Sequence, residues 1–328
     1  MQATRGEQSA FAETAEGTLI HETAPFGIGL RCPRCHAAIS SLICSECGFQ
    51  FQVNCGIVHA LALDRAAHYS QFIEDYEQIR AAEGRGSDSD DFYLGLPYRD
   101  VTARNSKQWQ IRARTYDSLL EQVLKPSLPA GGRILDLGSG NCWMSFRLAL
   151  AGYKPFSVDL LTNRSDGLGA AEHYRNDLPG LFPRFQAELD NLPFQSGQLD
   201  AAIFNASFHY VEDAEHALRE ALRCVRSGGM VVVADTPWYS RQESGKQMVS
   251  ERRESFLQRY GTASASIESM EYLTDERLQT LEEGLSIRWT IYSPRYGLRW
   301  AMRPLLAKLR NKREPARFRI YVARKAPA

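Results

Sequence analysis

The hydrophobic pattern between residues 132 and 226 alternates short apolar runs with longer segments whose apolar residues recur every three or four positions. Short runs of this kind are typical of buried strands, and the longer spacing is typical of amphipathic helices. The predicted strands lie at about 134–136, 156–159, 199–204 and 230–234, and one more ends near 186–188. Strands that alternate with helices in this way predict an α/β fold, with a parallel sheet and helices on both of its faces.

The same two patterns continue outside this central segment. Helical spacing predicts four flanking helices, at 64–82, 105–124, 241–260 and 269–281. Apolar runs at 287–292 and 318–323 predict a final pair of antiparallel strands. We therefore expect a Rossmann-like sheet that is mostly parallel and has an antiparallel last strand.

Composition divides the chain into segments. Residues 1–24 are small and polar without periodicity, which predicts a flexible tail, and the acidic low-complexity run at 83–91 predicts a linker. The expected segments are the tail at 1–24, a cysteine-rich module at 25–63, a helix with its linker at 64–104 and a main domain at 105–328. Within the main domain we expect a lid insertion at about 238–284 and a basic hairpin insertion at about 295–317.

Charge and cysteine content limit the possible functions. The 328 residues carry 39 basic and 39 acidic side chains, so no global field attracts nucleic acid or membranes. No apolar run approaches the roughly 20 residues of a membrane helix, and the N-terminus lacks the apolar segment of a secretory leader. Seven cysteines, four of them in two C-x-x-C pairs, are typical of metal binding in a reducing compartment. We expect a cytoplasmic protein.

The two cysteine pairs predict a zinc site. Cys32 and Cys35 form one C-x-x-C knuckle, and Cys44 and Cys47 form a second one after an eight-residue loop. Four thiolates complete a tetrahedral zinc site without an open position for water, so we expect a structural metal. Four free cysteines are the alternative. Cys55 lies outside the knuckles and is expected to be a buried apolar thiol.

The sequence continues past the second knuckle with aromatic residues at Phe49 and Phe51 and a Gly-Ile pair at Gly56 and Ile57. Together with the pattern C-P-x-C, an apolar hairpin and C-x-x-C-G, this segment resembles the zinc ribbons of small methyltransferase activators. Cys55 stands where that family usually has an acid. In such families the ribbon lies beside a methyltransferase domain or is fused to one, so the resemblance implies contact with a protein partner or a neighbouring domain.

A glycine turn follows the first predicted strand. The strand reaches Asp136, and Gly138, Ser139 and Gly140 precede a predicted helix, which is typical of nucleotide-type ligand sites. A dinucleotide site usually has a third glycine where this chain has Trp143, and the turn has no basic residue for a phosphate. Both features favour a cofactor without phosphates, and S-adenosylmethionine fits best.

Asp159 lies about 20 residues beyond this turn, at the end of the second strand. A carboxylate in that position accepts hydrogen bonds from the ribose hydroxyls of a bound nucleoside. The sequence therefore places both ends of a nucleoside cofactor at one edge of the sheet.

Four sequence blocks extend this pattern: I-L-D-L-G-S-G, S-V-D-L-L, E-L-D-N-L-P-F-Q-S-G-Q-L-D and E-A-L-R-C-V-R-S-G-G-M. With these blocks, residues 132–237 resemble class I S-adenosylmethionine-dependent methyltransferases, close to the branch of ubiquinone and menaquinone biosynthesis. The residues that the resemblance places at the cofactor are Asp136, Gly138, Ser139, Gly140, Asp159, Leu160, Glu188, Leu189, Asn205, Trp109 and Tyr116.

The resemblance also implies a role for each group. The glycine turn would frame the methionine part and Asp159 the ribose, while Glu188, where the family usually has aspartate, would face the adenine amino group beside the Leu189 backbone. Asn205 would line the side where the methyl group is transferred. Members of the preceding helix, namely Trp109, Arg112 or Tyr116, would cover the cofactor. Cys142 stands where glycine is common, which puts the local turn geometry in question.

Two residues near strand ends are candidate general bases. His209 and Asp235 follow the fourth and fifth strands, at the edge where ligands bind. Packing or hydrogen bonding is an equal alternative for His209, and loop capping is one for Asp235. Trp238 and Tyr239 either stack on a planar substrate or belong to the core.

The C-terminal part is strongly basic. From residue 285 onward, twelve Lys or Arg residues accompany a single acid, Glu314, and leucines alternate with the basic residues at 295–313. This pattern suits a peripheral contact with a membrane or an anionic surface. The alternative is a solvated basic face whose leucines pack on the core.

These observations favour an S-adenosylmethionine-dependent methyltransferase that acts on a small-molecule or lipid-linked metabolite. A first alternative is an rRNA or tRNA methyltransferase that docks RNA through the zinc ribbon, which the neutral charge and the few basic residues of the ribbon disfavour. A second alternative is a non-catalytic cofactor-binding regulatory protein.

Overall fold

A computed structural model describes residues 25–327, so the tail predicted at 1–24 lies outside the described residues. The strands are β1 (Leu30–Arg31), β2 (Ala38–Ile39), β3 (Gln52–Asn54), β4 (Ile57–His59), β5 (Arg133–Leu137), β6 (Lys154–Asp159), β7 (Arg184–Gln186), β8 (Leu199–Asn205), β9 (Val225–Ala234), β10 (Trp289–Tyr292) and β11 (Ile320–Arg324). The helices are α1 (Leu63–Ala82), α2 (Asp90–Gly95), α3 (Ser106–Leu119), α4 (Lys125–Ser127), α5 (Trp143–Leu150), α6 (Ala214–Cys224), α7 (Gln242–Tyr260), α8 (Asp275–Leu285), α9 (Leu298–Ala301) and α10 (Arg303–Leu309).

Within residues 25–327, nine strands form one sheet, in the order β10-β11-β9-β8-β5-β6-β7-β4-β3. The run from β9 to β4 is parallel, and β11 inserts antiparallel between β9 and β10. The predicted α/β sheet, mostly parallel with an antiparallel last strand, is confirmed. The order reverses between β5 and β8, and in such sheets ligands bind at that point beyond the carboxyl ends of the strands.

The cysteine-rich module is joined to this sheet. Its short hairpin β1–β2 carries the first knuckle, and its second hairpin, β3–β4, extends the main sheet, because β4 pairs in parallel with β7. Val58 lies opposite Phe185 in this pairing. The Arg31 N–H also donates to the carbonyl of Pro193 at 3.0 Å. The backbone ladder therefore runs without interruption from the predicted ribbon into the predicted main domain.

Cys55 is exposed, so the expectation of a buried thiol is wrong. Cys55 and Gly56 connect β3 to β4 with φ values of 51° and 71°. Two central residues with positive φ form the tight turn that matches the twist of an antiparallel hairpin. The side chain at the tip of such a turn points into solvent, which explains why an acid serves equally well there.

The sheet is packed on both faces. In β9, Val231 and Val233 belong to one buried cluster, while Met230 and Val232 belong to the other, as the alternation of a strand requires. The first face packs against α6, α8 and the cysteine module, and the second packs against α2, α3 and α5. The module is thus part of the main hydrophobic core.

The acidic run at 83–91, predicted as a linker, is fastened to the rest of the chain. Arg85 is buried and its Nε donates to Glu83 at 2.9 Å. The Tyr93 hydroxyl donates to the carbonyls of Ser87 and Ser165, at 2.8 and 2.7 Å. These bonds hold the segment beside the sheet. Its charged side chains lie mainly on the side that faces solvent.

The predicted lid insertion contains α7 and α8. The second of these helices begins at Asp275 and not at 269, with the Thr274 hydroxyl accepting the N–H of Arg277 at the helix start. The residues before it are extended, because the Leu273 N–H donates to the Pro237 carbonyl and the Tyr239 N–H to that of Leu273. None of the helices in the part of the chain from 25 to 327 combines the length and the apolar character needed to cross a membrane.

Candidate functional site

The glycine turn lies at the carboxyl end of β5, where the chain passes into α5. The N–H groups of Gly138 and Ser139 donate to the carbonyl of Val158 on the neighbouring strand, at 2.8 and 3.0 Å. Gly138 has a φ of 73°, and a Cβ added to it would lie 2.3 Å from the Cβ of Ser207. Only glycine allows the turn to approach the end of β8 this closely.

Cys142 occupies the last position before α5, where the sequence resemblance favours glycine. Its φ is 61°, in the left-handed region that glycine adopts most easily. The buried thiol donates to the Gly140 carbonyl at 3.6 Å. The turn therefore keeps the geometry expected of a glycine at this position, which answers the question raised by the sequence.

Asp159, at the end of β6, closes the turn from the opposite side. Its Oδ2 accepts the N–H of Gly140 at 2.7 Å, and its Oδ1 accepts the N–H of Leu161 at 2.9 Å. Burial raises the pKa of this carboxyl to about 6, and the backbone donors oppose the rise. Each oxygen retains a lone pair that a ligand hydroxyl can use. The position suits the predicted contact with a ribose.

Three other predicted cofactor residues lie behind the turn. The Asp136 carboxylate accepts the Ser145 hydroxyl at 2.7 Å, and burial raises its pKa to about 7. The Ser139 hydroxyl donates back to the backbone of β6 at 3.4 Å. Asn205 is the last residue of β8, and it is the next residue, Ala206, that lines the cavity. Asp136, Ser139 and Asn205 thus shape the site without facing the ligand space.

A cavity of about 100 Å³, here called the donor cavity, opens beside the turn. Six of the predicted cofactor residues line it: Gly138, Gly140, Asp159, Leu160, Glu188 and Leu189. They come from the ends of three neighbouring parallel strands, as the sequence blocks imply. The sequence therefore identified the sheet side of this cavity.

Glu188 is held by a residue that the sequence did not indicate. Arg65 of α1 donates from Nε to the Glu188 carboxylate at 2.6 Å, and its Nη2 donates to the Tyr69 hydroxyl at 3.1 Å. Burial raises the pKa of Glu188, while Arg65 acts in the opposite direction. The carboxylate is thereby fixed at the rim of the donor cavity.

Helix α1 forms the other side of the donor cavity. Tyr69, Phe72 and Tyr76, at spacings of three and four, line it together with Tyr210 and Ile267. The Tyr210 ring centre lies 5.6 Å from that of Tyr76 and 6.2 Å from that of Phe72. The helical pattern of α1 was visible in the sequence, but its aromatic stripe resembles any buried helix face. Only the return of the chain through β4 places it over the site.

Trp109 and Tyr116 do not line the donor cavity, contrary to the prediction that they cover the cofactor. Both are buried against Trp143, with ring centres at 6.0 and 5.7 Å. The opposite face of α3 carries Ile111 and Arg112, which line a second cavity. The prediction placed helix α3 beside the site, but it assigned the wrong face of the helix to the ligand.

The second cavity, of about 250 Å³, is here called the acceptor cavity. Five residues line both cavities: Phe72, Tyr76, Ala206, Tyr210 and Ile267. Its far wall is built by the lid insertion through Arg252, Phe256 and Glu271. The two cavities therefore meet at an aromatic boundary, and residues of the segment predicted as a lid line the second one.

His209 lines the acceptor cavity in a form that resists protonation. Burial, together with the nearby Arg252 and Arg112, lowers the pKa of its imidazole to about 3. Within the described residues, its buried Nδ1 has no hydrogen-bond partner. A ring of this kind is neutral at physiological pH and is a weak general base.

Asp235 also lines the acceptor cavity. Its Oδ1 accepts the Thr115 hydroxyl at 2.6 Å, whereas its buried Oδ2 has no partner among the residues at 25–327. Burial raises the pKa of the carboxyl, with Thr115 and Arg112 opposing. Trp238 and Tyr239, which follow along the chain, are buried, so the core alternative for this pair is the one that the structure shows.

The four predicted metal ligands converge. The Sγ atoms of Cys32, Cys35, Cys44 and Cys47 all lie within 4.8 Å of one another. The Cys32–Cys47 and Cys35–Cys44 sulfur distances are both 3.5 Å. Four sulfurs at tetrahedral corners about 2.3 Å from a zinc ion would be about 3.8 Å apart. The cluster therefore fits the predicted ion.

Residues 135–233 match the family model described as a methyltransferase domain. The matched segment contains the glycine turn, Asp159 and Glu188. This part of the chain is a methyltransferase domain of class I type, as its sequence blocks and sheet order imply.

Two curated relatives illustrate the sequence similarity of this chain to known methyltransferases. The ubiquinone/menaquinone biosynthesis C-methyltransferase UbiE of Rhizobium johnstonii is 26% identical over 124 residues, which are 37% of this chain and 48% of the relative. The demethylmenaquinone methyltransferase of Beutenbergia cavernae is 29% identical over 156 residues, which are 46% of this chain and 62% of the relative. The chain spans about half the length of the curated relatives it matches.

Among solved structures, the complex of the Haloferax volcanii Trm112 methyltransferase activator with a putative methyltransferase is similar at a TM-score of 0.47. The identity is 15%, over 73% of this chain and all of that chain. Similarity at this level adds nothing to the sheet order described above.

Proposed function

We propose that this chain, which contains a methyltransferase domain, transfers a methyl group from S-adenosylmethionine to a small-molecule or lipid-linked acceptor. The observation that carries the proposal is the pair of cavities that meet at Phe72, Tyr76 and Tyr210. One cavity has the glycine turn and carboxylate of a nucleoside site, and the other is an adjoining space with its own set of polar groups. Two substrates held side by side react with much of the entropic cost removed.

The donor cavity has groups that suit each part of the cofactor. Asp159 would hold the ribose hydroxyls, Glu188 and the Leu189 backbone would face the adenine, and the backbone at Gly138 and Gly140 would frame the methionine part. When bound, S-adenosylmethionine supplies an electrophilic methyl group on a sulfonium ion. The aromatic rings at the boundary between the cavities favour a cation at that point.

Of the two predicted bases, Asp235 is the better candidate. Its Oδ2 is unpartnered and burial raises its pKa toward neutrality, so the carboxylate can take a proton from an acceptor O–H, N–H or C–H group. His209 is held in its neutral form, which suits a hydrogen bond to the acceptor. The names of two relatives indicate quinone acceptors for those proteins, which supports a small or lipid-linked acceptor here.

Transfer of a labelled methyl group into fractionated cell extract tests this function. The purified chain and S-adenosylmethionine with a radioactive methyl group are incubated with extract, which is then separated into small molecules, lipids, RNA and protein. We expect label in the small-molecule or lipid fraction, and none with the Asp159→Asn variant. Label in RNA would support the alternative of an RNA methyltransferase. Absence of label from every fraction, with the cofactor bound, would support the regulatory alternative.

We also propose that the four clustered cysteines bind one structural zinc ion. Four thiolates leave no site for water or substrate, and one cysteine of each knuckle, Cys32 and Cys44, is buried in the main core. Thiolate ligands agree with the reducing cytoplasmic location that the sequence indicates. Elemental analysis of the purified chain is expected to show one zinc per molecule, reduced at least severalfold in Cys35→Ser. Equal metal content in the two proteins would contradict the site.

A lipid surface is the proposed partner of the segment from α9 to α10. Leu298, Met302, Leu305 and Leu309 are exposed on this segment, with Leu298 at 85% and Leu309 at 75%. Seven basic residues and no acid lie at 295–313. Apolar side chains interleaved with basic ones bind anionic bilayer surfaces. The segment adjoins the acceptor cavity, because Trp300 stacks on the cavity residue Phe318 at 5.8 Å.

Flotation with lipid vesicles tests this contact. We expect the chain to float with vesicles of phosphatidylglycerol and to remain in solution with vesicles of phosphatidylcholine. The double variant Leu298→Ser and Leu309→Ser should lose flotation, while Ile43→Ser, an equally drastic change at an exposed residue of the cysteine module, should keep it. Flotation that is unaffected by the double variant would contradict the proposal.

A further inference from the structure

We propose that the methyl acceptor carries an oxyanion, a carboxylate or a phosphate, and that Arg112 and Arg85 bind it in the acceptor cavity. The inference rests on the proposed function, because it assigns the substrate class of the second cavity. It follows from the placement of four guanidinium groups in one small space and from the state of their partners.

Arginines are concentrated in this cavity. Arg80, Arg85, Arg112 and Arg252 line the acceptor cavity, and none of the arginines and lysines at 25–327 lines the donor cavity. Three of the four are paired with acids. Arg80 bonds both oxygens of Asp166, Arg252 lies 2.6 Å from Glu271, and Arg85 lies 2.9 Å from Glu83. These pairs leave Arg112 and the remaining N–H groups of Arg85 to be accounted for.

Arg112 has no anionic partner. Within residues 25–327, no carboxylate lies within ion-pairing distance of its guanidinium, and no hydrogen bond from its side chain is formed. The guanidinium lies 4.9 Å from the centre of the Trp109 ring, which holds it in place from behind. A half-buried cation without a counter-ion loses part of its hydration without compensation, and an anionic ligand would offset that loss.

The surroundings of Arg112 favour negative charge. Burial, together with the neighbouring Arg80 and Arg85, lowers the pKa of its guanidinium to about 10, whereas Asp235 acts in the opposite direction. Asp235 is itself bonded to Thr115 and does not reach Arg112 as an ion pair. The other acids of the cavity, Glu83 and Glu271, pair with Arg85 and Arg252, so Arg112 lacks a directly paired carboxylate among the described residues.

Arg85 offers a second donor that nothing uses. Its side chain is 6% exposed, and its Nε donates to Glu83, but its buried Nη1 has no partner within the described part of the chain. Buried donors are almost always satisfied in folded proteins, so an unused guanidinium N–H beside a cavity indicates a ligand acceptor atom. Guanidinium groups match the planar, two-oxygen geometry of carboxylates and phosphates.

The rest of the lining is mixed. Ile79, Ile111, Phe256 and Phe318 give it an apolar part, and Gln108, Ser264 and Ser269 add neutral polar groups. An acceptor that fits this space has an apolar or aromatic body and one oxyanion directed at Arg112. Asp235 would then lie on the same side as the anion and face a neighbouring polar atom of the acceptor.

Binding of matched probes to the wild-type chain tests the inference directly. The chain is first saturated with S-adenosylhomocysteine, so that any anion subsite of the cofactor is filled, and is then titrated calorimetrically with benzoate, phenyl phosphate and benzamide. We expect one of the two anions to bind at least tenfold more tightly than neutral benzamide, and the stronger of them identifies the oxyanion. Equal affinity for all three probes would overturn the proposal.

Two variants of α3 assign the effect to Arg112. Arg112→Met should weaken binding of the anionic probe at least tenfold and leave benzamide unchanged. Lys107→Met removes the same charge from an exposed position of the same helix that does not line the cavity, and should change neither. If Arg112→Met weakens S-adenosylhomocysteine instead and the probes show no charge preference, Arg112 serves the donor and the proposal fails. Failure of the wild-type chain to bind S-adenosylmethionine would refute the proposed function as well, so the two failures are distinguishable.

Discussion

The Asp136 carboxyl, buried behind the glycine turn, has a pKa raised to about 7 by its burial, with the Ser145 hydroxyl opposing. In an unfolded chain an aspartate has a pKa of about 3.9. The native state therefore retains a proton between these two values that the unfolded state has lost. This carboxyl stabilises the fold at low pH, and its contribution is lost as the pH rises through about 7.

We predict that Asp136→Asn reduces this pH dependence. In the wild type, the free energy of unfolding should fall between pH 5 and pH 8 by an amount on the order of 2–3 kcal/mol from this residue. The asparagine cannot ionise and can still accept the Ser145 hydroxyl through its carbonyl oxygen. Urea unfolding at the two pH values measures the effect, and an unchanged slope in the variant would show that Asp136 is charged in the native state.

The two glycines of the turn should respond differently to alanine. A Cβ at Gly138 would collide with Ser207, whereas at Gly140 the nearest atom is the Asp166 carbonyl oxygen at 3.6 Å. We expect Gly138→Ala to lower the free energy of unfolding by about 2–4 kcal/mol, and Gly140→Ala by about 1 kcal/mol, since only the left-handed φ opposes it. Thermal unfolding of the two variants checks the ranking, which a similar loss in both would contradict.

Asp235 should set the acid limb of the methyl-transfer rate. Because burial raises its pKa, the carboxylate is protonated at a higher pH than an ordinary aspartate, and kcat should rise with pH through that raised pKa. Asp235→Asn should lower kcat by about 10²–10⁴ and abolish the limb, with KM for S-adenosylmethionine unchanged. A pH profile of the same shape in the variant would exclude Asp235 as the base.

Residues that line the donor cavity through backbone or a fixed carboxylate were predictable. Gly138, Gly140 and Asp159 follow strands whose apolar pattern is unmistakable, so their positions follow from the strand ends. The side-chain directions of Asp136 and Ser139 were not predictable, because both sit one residue from a lining position and a turn can present either neighbour. Arg85 carried no signal, since isolated arginines are common on solvated faces, and the resemblance named Arg112 only as one of three residues that would cover the cofactor.

Among the helices and strands, α1 has a role that the sequence could not predict: it lines both cavities. Its apolar spacing predicts a helix, which the structure confirms, but not what the helix covers. Its position follows from β4, because the Ala60 N–H donates to the Gln186 carbonyl at 2.9 Å and α1 begins three residues later. The cysteine module therefore fixes the start of the helix that lines both cavities.

This connection predicts an effect of the metal cluster on the donor site. Cys35→Ser should lower the melting temperature by several degrees and weaken S-adenosylmethionine binding at least fivefold, because α1 loses its anchored start and Arg65 no longer holds Glu188. Cys55→Ser, at an exposed cysteine outside the cluster, should change neither. Differential scanning fluorimetry and calorimetric titration give both quantities, and unchanged cofactor affinity in Cys35→Ser would separate the module from the site.

At the scale of the whole molecule, one sheet joins segments that composition had divided. The division at 25–63, 64–104 and 105–328 remains a prediction about sequence units, but the backbone ladder and both buried clusters cross those limits. The reason lies in β4, three residues long, which is too short to be distinguished from a loop by its pattern. Long-range pairing of short strands is the part of a fold that local sequence specifies least.

The predicted functional segments are distributed along the sheet from one edge to the other. The cysteine module and the donor cavity lie toward the β3 edge of the sheet, and the basic segment from α9 to α10 follows β10 at the opposite edge. The acceptor cavity is lined both by α1 and by Phe318, which precedes β11. An acceptor taken from a lipid surface would therefore approach from the side opposite the cofactor.

Titration of S-adenosylmethionine into the purified chain tests whether the donor cavity is a cofactor site. Isothermal titration at pH 7.5 should give one site per chain with a micromolar dissociation constant. Asp159→Asn should weaken it at least tenfold, since the amide cannot accept hydrogen bonds at both positions, and Asp177→Asn, at an exposed carboxylate away from the cavities, should leave it unchanged. No detectable binding to the wild-type chain, or equal affinity in all three proteins, would contradict the account.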